Sequence, residues 1–133
     1  MPFDTFRARH IPALLLASTT TLGGFWPWVD PRSAILAFGF PGRIADAPAA
    51  HPVMVQGQSR STILGLFFWV LYFRRRYVEM DALMAVMGFW GGAVDAYLVW
   101  RTGSARKAVM RLVTLWGFAA LGLAGVTAGL GGV

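Results

Sequence analysis

The sequence predicts an all-α protein, a four-helix transmembrane bundle of antiparallel, sequential helices. Three observations lead there. The 133 residues are 56% hydrophobic and 14% charged, with a mean hydropathy of +0.56, whereas a soluble domain carries about 25% charged residues. The charges cluster in short stretches between four apolar runs, each close to the roughly twenty residues that cross about 30 Å of hydrocarbon. Two of the three links are short, which makes the helices they join antiparallel neighbours. The length holds one domain, 1–133.

The first span is expected over 11–29, with Pro12 at an early helical position and Pro27 ending or kinking the helix near Phe25. A cleaved signal peptide is the rival reading of Arg7, Arg9 and the apolar run. No small-x-small site precedes Phe25-Trp26-Pro27-Trp28, so the run is read as a span. Residues 30–52 form the long connection, and "SAILAFGFP" within it is too short to cross and suits the interface. The second span is 53–73, polar in its first third ("VMVQGQSR") and lipid-like afterwards. Residues 74–79 turn tightly into the third span, 80–100, and "RTGSARKA" turns into the fourth, 109–130. Gly88-x-x-x-Gly92 and Gly125-x-x-x-Gly129 are small-residue ridges for close helix contact, and glycine-rich faces of this kind also offer a homo-oligomer interface.

The net charge of +6 does not indicate a nucleic-acid partner. The arginines sit at the ends of apolar runs, as Arg74-Arg75-Arg76 and Arg106-Lys107 do, where they meet lipid headgroups. Five basic residues fall on each side of the expected bundle, so charge leaves its orientation open. Cysteine is absent, which excludes thiolate metal sites and cysteine nucleophiles. No metal-ligand spacing, phosphate-binding glycine loop or nucleophile elbow occurs, so no cofactor or metal is expected.

Proton chemistry remains. Asp95 lies about 22 Å from the 74–79 turn by helix rise, and Arg60, on the neighbouring span, roughly 20 Å from the same surface. A carboxylate in lipid is costly unless paired, so Arg60 and Asp95 are expected to approach each other. Gln56, Ser59, Arg60 and Ile63 share one side of the second helix. Asp81, Ala85, Gly88, Gly92, Asp95 and Val99 form a small-or-polar, bundle-facing stripe on the third. Arg111 and Thr114 approach from the fourth helix, Trp26 and Trp28 from the first, and the 30–52 connection with His51 covers that end. The candidate catalytic pair is therefore Asp95 and Arg60, with Gln56, Trp26, Trp28, Tyr97, Arg111 and His51 as candidate substrate-binding residues.

Each group also has a plainer role. Asp95 with Arg60 serves equally as a pair that fixes helix register, the tryptophans as an aromatic belt, and His51 as a solvated loop histidine. Asp81 reads as a helix N-terminal residue complementing the dipole and pairing with the arginines.

"AFGFP", "GQSRSTILGL", the arginine-rich turn and "DALMAVMGFWGGAVDAYLVWRTG" resemble a family of small four-helix integral membrane proteins of unknown function. The resemblance covers about residues 34 to 127, and matches at Gly57-Gln58-Ser59-Arg60 and Asp95. It implies a multi-pass membrane location, in the endoplasmic reticulum if the host is a fungus. The family is widespread in fungi and also bacterial, and some members accompany natural-product biosynthetic genes.

The leading expectation is thus a membrane enzyme performing cofactor-free acid/base chemistry, such as a cyclisation or isomerisation, on a lipophilic small molecule of polyketide or terpenoid type. A non-catalytic scaffold or accessory subunit is the alternative. A transporter is a third class, and with four helices it would have to oligomerise to enclose a path.

Overall fold

The computed structural model describes residues 3–130. Among them no strand occurs; a 3-10 turn (Ala8–His10) is followed by the helices α1 (Ile11–Gly23), α2 (Trp26–Val29), α3 (Pro31–Phe38), α4 (Gly42–Ala45), α5 (Ala50–Phe73), α6 (Tyr77–Thr102) and α7 (Ala105–Leu123). One helix among the described residues, α6, is long and apolar enough to cross a membrane.

The stretch expected as one span over 11–29 is two helices. Thr19, Thr20 and Thr21 each bond back to the carbonyl four residues earlier (Leu15, Leu16 and Ala17; 2.9, 2.7 and 2.6 Å), a habit that bends helices. Gly23 and Gly24 follow, and Pro27 restarts the chain in α2. Gly24 lets the backbones of α1 and α5 touch, since a Cβ there would lie 2.6 Å from the Gln58 carbonyl oxygen. Lower down, Gly65 of α5 plays the same part against Ala17 and Thr21, so α1 and α5 run antiparallel in close contact.

A second antiparallel pair is α6 with α7. The Gly88–Gly92 ridge does what its spacing predicts, with Leu115, Trp116 and Ala119 of α7 filling it. The contact is within the chain, so that ridge is already covered. The two pairs meet at the Arg74–Arg76 end, where Leu16, Phe68, Tyr72, Met80 and Met84 form the core. Arg75, at φ 57°, makes the tight reversal there, and Arg76 pairs with Glu79. Toward the opposite end α5 and α6 diverge, and α3 with the segment after it fills part of the gap.

Two further expectations are corrected. The fourth helix ends at Leu123, short of 130, and Gly125 and Gly129 take φ of 67° and 77° in the turn beyond it. They are turn glycines, not a helical ridge, because only glycine adopts those angles without strain. Asp81 is not at the entrance of its helix, which starts at Tyr77. It lies one turn deeper, 3% exposed, and accepts the backbone N–H groups of Thr127 (3.0 Å) and Ala128 (2.8 Å). Burial selects these N–H partners over the solvated arginines.

Candidate functional site

The connection expected as an interfacial stretch contains the helix that organises the site. Asp30 caps α3, its carboxylate accepting the Ser33 N–H at 3.1 Å, and Pro31 occupies the first helical position. That bond holds the Asp30 carboxyl below its usual pKa. Gly39, at φ 120°, ends α3, and Val99 of α6 packs where a side chain would stand. The last turn of α3 therefore points its carbonyls toward the α6–α7 turn, Leu36 O also accepting the Gly39 N–H at 3.1 Å.

Two cations from α7 meet those carbonyls. Lys107 Nζ donates to Leu36 O at 2.9 Å, and Arg111 Nε donates to Phe38 O at 2.7 Å. They are four residues apart, hence on one face of the helix, and they meet the negative end of the α3 dipole. The Arg111 guanidinium lies over the Phe38 ring, 3.6 Å from its centroid. Its Nη1 donates to Asp95 Oδ2 at 3.1 Å.

Asp95 thus pairs with Arg111, not with Arg60. Asp95 lies three residues past Gly92 and shares the side of α6 that meets α7. At this level α5 has separated from α6, and the Arg60 side chain is exposed on α5. The pair is partly open, with 28% of Asp95 and 29% of Arg111 side chains exposed.

The openness leads into clefts. Asp95 lies on the wall of one of about 470 Å³ between α5 and α6, lined also by Ile35, Phe38, Met54, Gln58, Ser61 and Leu98. A second cleft of about 660 Å³ runs along α7 past Lys107 and Arg111. A third, of about 180 Å³, lies between Trp26, Gln58 and Arg111. Phe38 borders all three and Arg111 the last two. The first two are largely apolar concavities with a few convergent polar groups, a common make-up of small-molecule sites. Among the described residues no three His, Asp or Glu side chains come together as a metal site.

The other expected residues divide. Trp26 borders the smallest cleft and donates its ring N–H to Ser33 Oγ at 2.8 Å. Trp28 is 68% exposed and Tyr97 points outward, its ring 6.4 Å from that of Trp100. Gln56 is exposed, and Gln58 takes its place on the cleft walls. His51 donates from Nε2 to the Ala45 carbonyl at 2.8 Å, which ties α4 to the start of α5 instead of facing a cleft.

A family model, a domain of unknown function designated DUF4267, matches residues 17–125. The chain belongs to that family. No curated protein and no solved structure matches it. The DUF4267 match takes in each helix that builds the clefts, from the end of α1 to the end of α7.

Sequence reasoning missed Phe38, Gln58 and Ser61, and missed Arg111 as the partner of Asp95. For the pair a signal existed. Asp95 lies eight residues before Gly103 and Arg111 eight after it, so a tight hairpin turning there sets them opposite each other. For Gln58 none did. The run "QGQSRS" is polar at nearly every position, and its inward side is chosen by Thr62, whose hydroxyl donates to the Thr21 carbonyl at 3.0 Å.

Proposed function

We propose that this chain is a multi-pass integral membrane enzyme that performs a cofactor-free acid/base step on a lipophilic small molecule held beside Asp95. The membrane reading draws on the outer surface. Val86 and Trp90 on α6, Ile63 and Leu66 on α5, and Val109 and Val113 on α7 are all more than half exposed, an apolar periphery that soluble monomers avoid. In this reading α1 with α2, α5, α6 and α7 form the four membrane-embedded segments. In a fungal host the membrane is that of the endoplasmic reticulum. The family resemblance to proteins encoded beside natural-product genes favours a polyketide or terpenoid substrate.

The observation that carries the catalytic reading is the position of Asp95, on the wall of a largely apolar cleft with its carboxylate oriented by Arg111. In an isomerisation or cyclisation the carboxylate takes a proton from one substrate atom and returns it to another, with no net change in the enzyme. Arg111 fills the orienting role expected of Arg60, and it is fixed in turn by the Phe38 carbonyl. Gln58 and Ser61 offer hydrogen bonds to a substrate oxygen from the facing wall.

A second reading, a non-catalytic scaffold, is favoured by one fact. Arg111 joins α3, α6 and α7 whether or not chemistry occurs. Asp95→Asn separates the two, because it keeps the shape and removes the acid. Normal folded yield in detergent with turnover of polyketide or terpenoid candidates abolished supports the enzyme. Unchanged turnover, or a loss of folding that fully accounts for the lost turnover, overturns it.

A further inference from the structure

The cleft along α7 has a chemistry of its own. Arg106, Lys107 and Arg111 line it, with no carboxylate on its walls, and Met110, Leu115 and Phe38 supply an apolar floor. Among the described residues neither Arg106 nor Lys107 pairs with a carboxylate. Lys107 uses one of its three donors on Leu36 O and keeps two. The cleft also begins at the N-terminus of α7, a nineteen-residue helix whose capping Ser104 accepts the Lys107 N–H at 3.4 Å. The remaining first-turn N–H groups and the positive end of the helix dipole add to the same field.

Cations at the ends of membrane helices are ordinary. Here they surround a concavity, and the length from Ser104 to Leu115 is about 16 Å by helix rise, room for a chain as well as a head. Phe38 is a wall of both this cleft and the one holding Asp95. We infer that the α7 cleft binds an anionic amphiphile, its phosphate or carboxylate head at Arg106 and Lys107 and its apolar body against Met110, Leu115 and Phe38. As a statement about the substrate this rests on the catalytic reading of Asp95, and it names the class: a lipophile with a negatively charged end. The site then sets which end of the molecule stays at the membrane surface and which reaches Asp95.

The test uses the full chain in nanodiscs of neutral phosphatidylcholine, with dodecyl phosphate and dodecanol as probes, read by calorimetry or native mass spectrometry. Dodecyl phosphate binds more tightly than dodecanol, and Arg106→Gln with Lys107→Gln weakens it by roughly tenfold or more, the loss expected when charged hydrogen bonds to an anion are removed. Arg74→Gln with Arg75→Gln, at the opposite turn, leaves it unchanged. All four residues are exposed, and an unchanged melting temperature for each double variant checks that the bond of Lys107 to Leu36 O and the reversal at Arg75 are not needed for folding. Discs doped with phosphatidic acid distinguish the source. Displacement of dodecyl phosphate assigns the site to a lipid headgroup, and undisturbed binding assigns it to a soluble amphiphile. Equal affinity for dodecanol, or full binding by the Arg106/Lys107 double variant, overturns the inference. Because the assay reads no turnover, its failure leaves the Asp95→Asn result standing. Conversely, Asp95→Asn retains dodecyl phosphate binding, since Asp95 is not on the walls of this cleft.

Discussion

Arg111 and Asp95 face each other across the α6–α7 hairpin at 3.1 Å, and the same guanidinium binds the Phe38 carbonyl at 2.7 Å. One side chain therefore joins the two halves of the hairpin to the helix that borders the clefts. Removing either charge strands the other. Arg111→Gln is expected to lower unfolding stability by roughly 1–3 kcal/mol, less than a fully buried pair because both groups are partly open. Thermal or denaturant unfolding in detergent measures it. Adding Asp95→Asn recovers part of the loss, which a double-mutant cycle reads as coupling. Arg60→Gln leaves that coupling unchanged, because Arg60 stands exposed on α5 away from the pair.

The buried Asp81 carboxylate accepts two backbone N–H groups beyond α7. Asp81→Ala leaves both donors buried or half-buried without their acceptor, a cost of about 1–3 kcal/mol for each group left unsatisfied. Hydrogen exchange at Thr127 and Ala128 should accelerate before that in the α5–α6 core. Equal acceleration everywhere would show that Asp81 supports the whole fold instead of this turn.

Glycines on α6 differ in what surrounds them. A Cβ on Gly88 would lie 2.5 Å from the Leu115 carbonyl oxygen, whereas Gly91 has nothing within 4 Å. Gly88→Ala thus forces α7 away and destabilises by about 1–3 kcal/mol. Gly91→Ala stabilises by roughly 0.5–1 kcal/mol through helix propensity. Paired melting curves test the opposite signs.

His10, fully buried, lies against the rings of Tyr72 and Tyr77, and its Nδ1 accepts the Arg7 N–H at 3.3 Å. Burial, then the charges of Arg9 and Arg7, lowers its pKa from the usual 6.5, with Asp81 pulling the other way. The folded chain therefore binds fewer protons at this site than the unfolded chain. Its contribution is fully present above about pH 6.5 and is lost as pH falls below that value. Melting temperature should drop on acidification through this window, and His10→Phe should flatten the drop.

Much of the fold was legible in residue patterns. Apolar runs and basic turns located α5 and α6 to within three residues at each end, and Pro27 marked the break after α1, because helix length and polarity are local properties. The stripe from Asp81 to Val99 marked the inward side of α6, since glycine and small residues are needed wherever backbones touch. Even α3 had a local signature that went unread. Asp30-Pro31 is a cap with proline at the first position, and Gly39 is a stop.

Partner choice was not local. Asp95 required a cation at its depth, and both Arg60 and Arg111 met that condition in sequence. The separation of α5 from α6 decided between them, and it follows from Gly24 and Gly65 drawing α5 onto α1. The same contact turned Gln58 and Ser61 inward and left Gln56 outside. Sequence alone could establish that a buried-depth carboxylate needed a basic partner, because charge in an apolar medium is costly wherever it occurs. Which arginine answers it, and that the pair borders clefts instead of a packed seam, depends on where whole helices cross. That is set by the sum of many packing contacts, and no single stretch of residues records it.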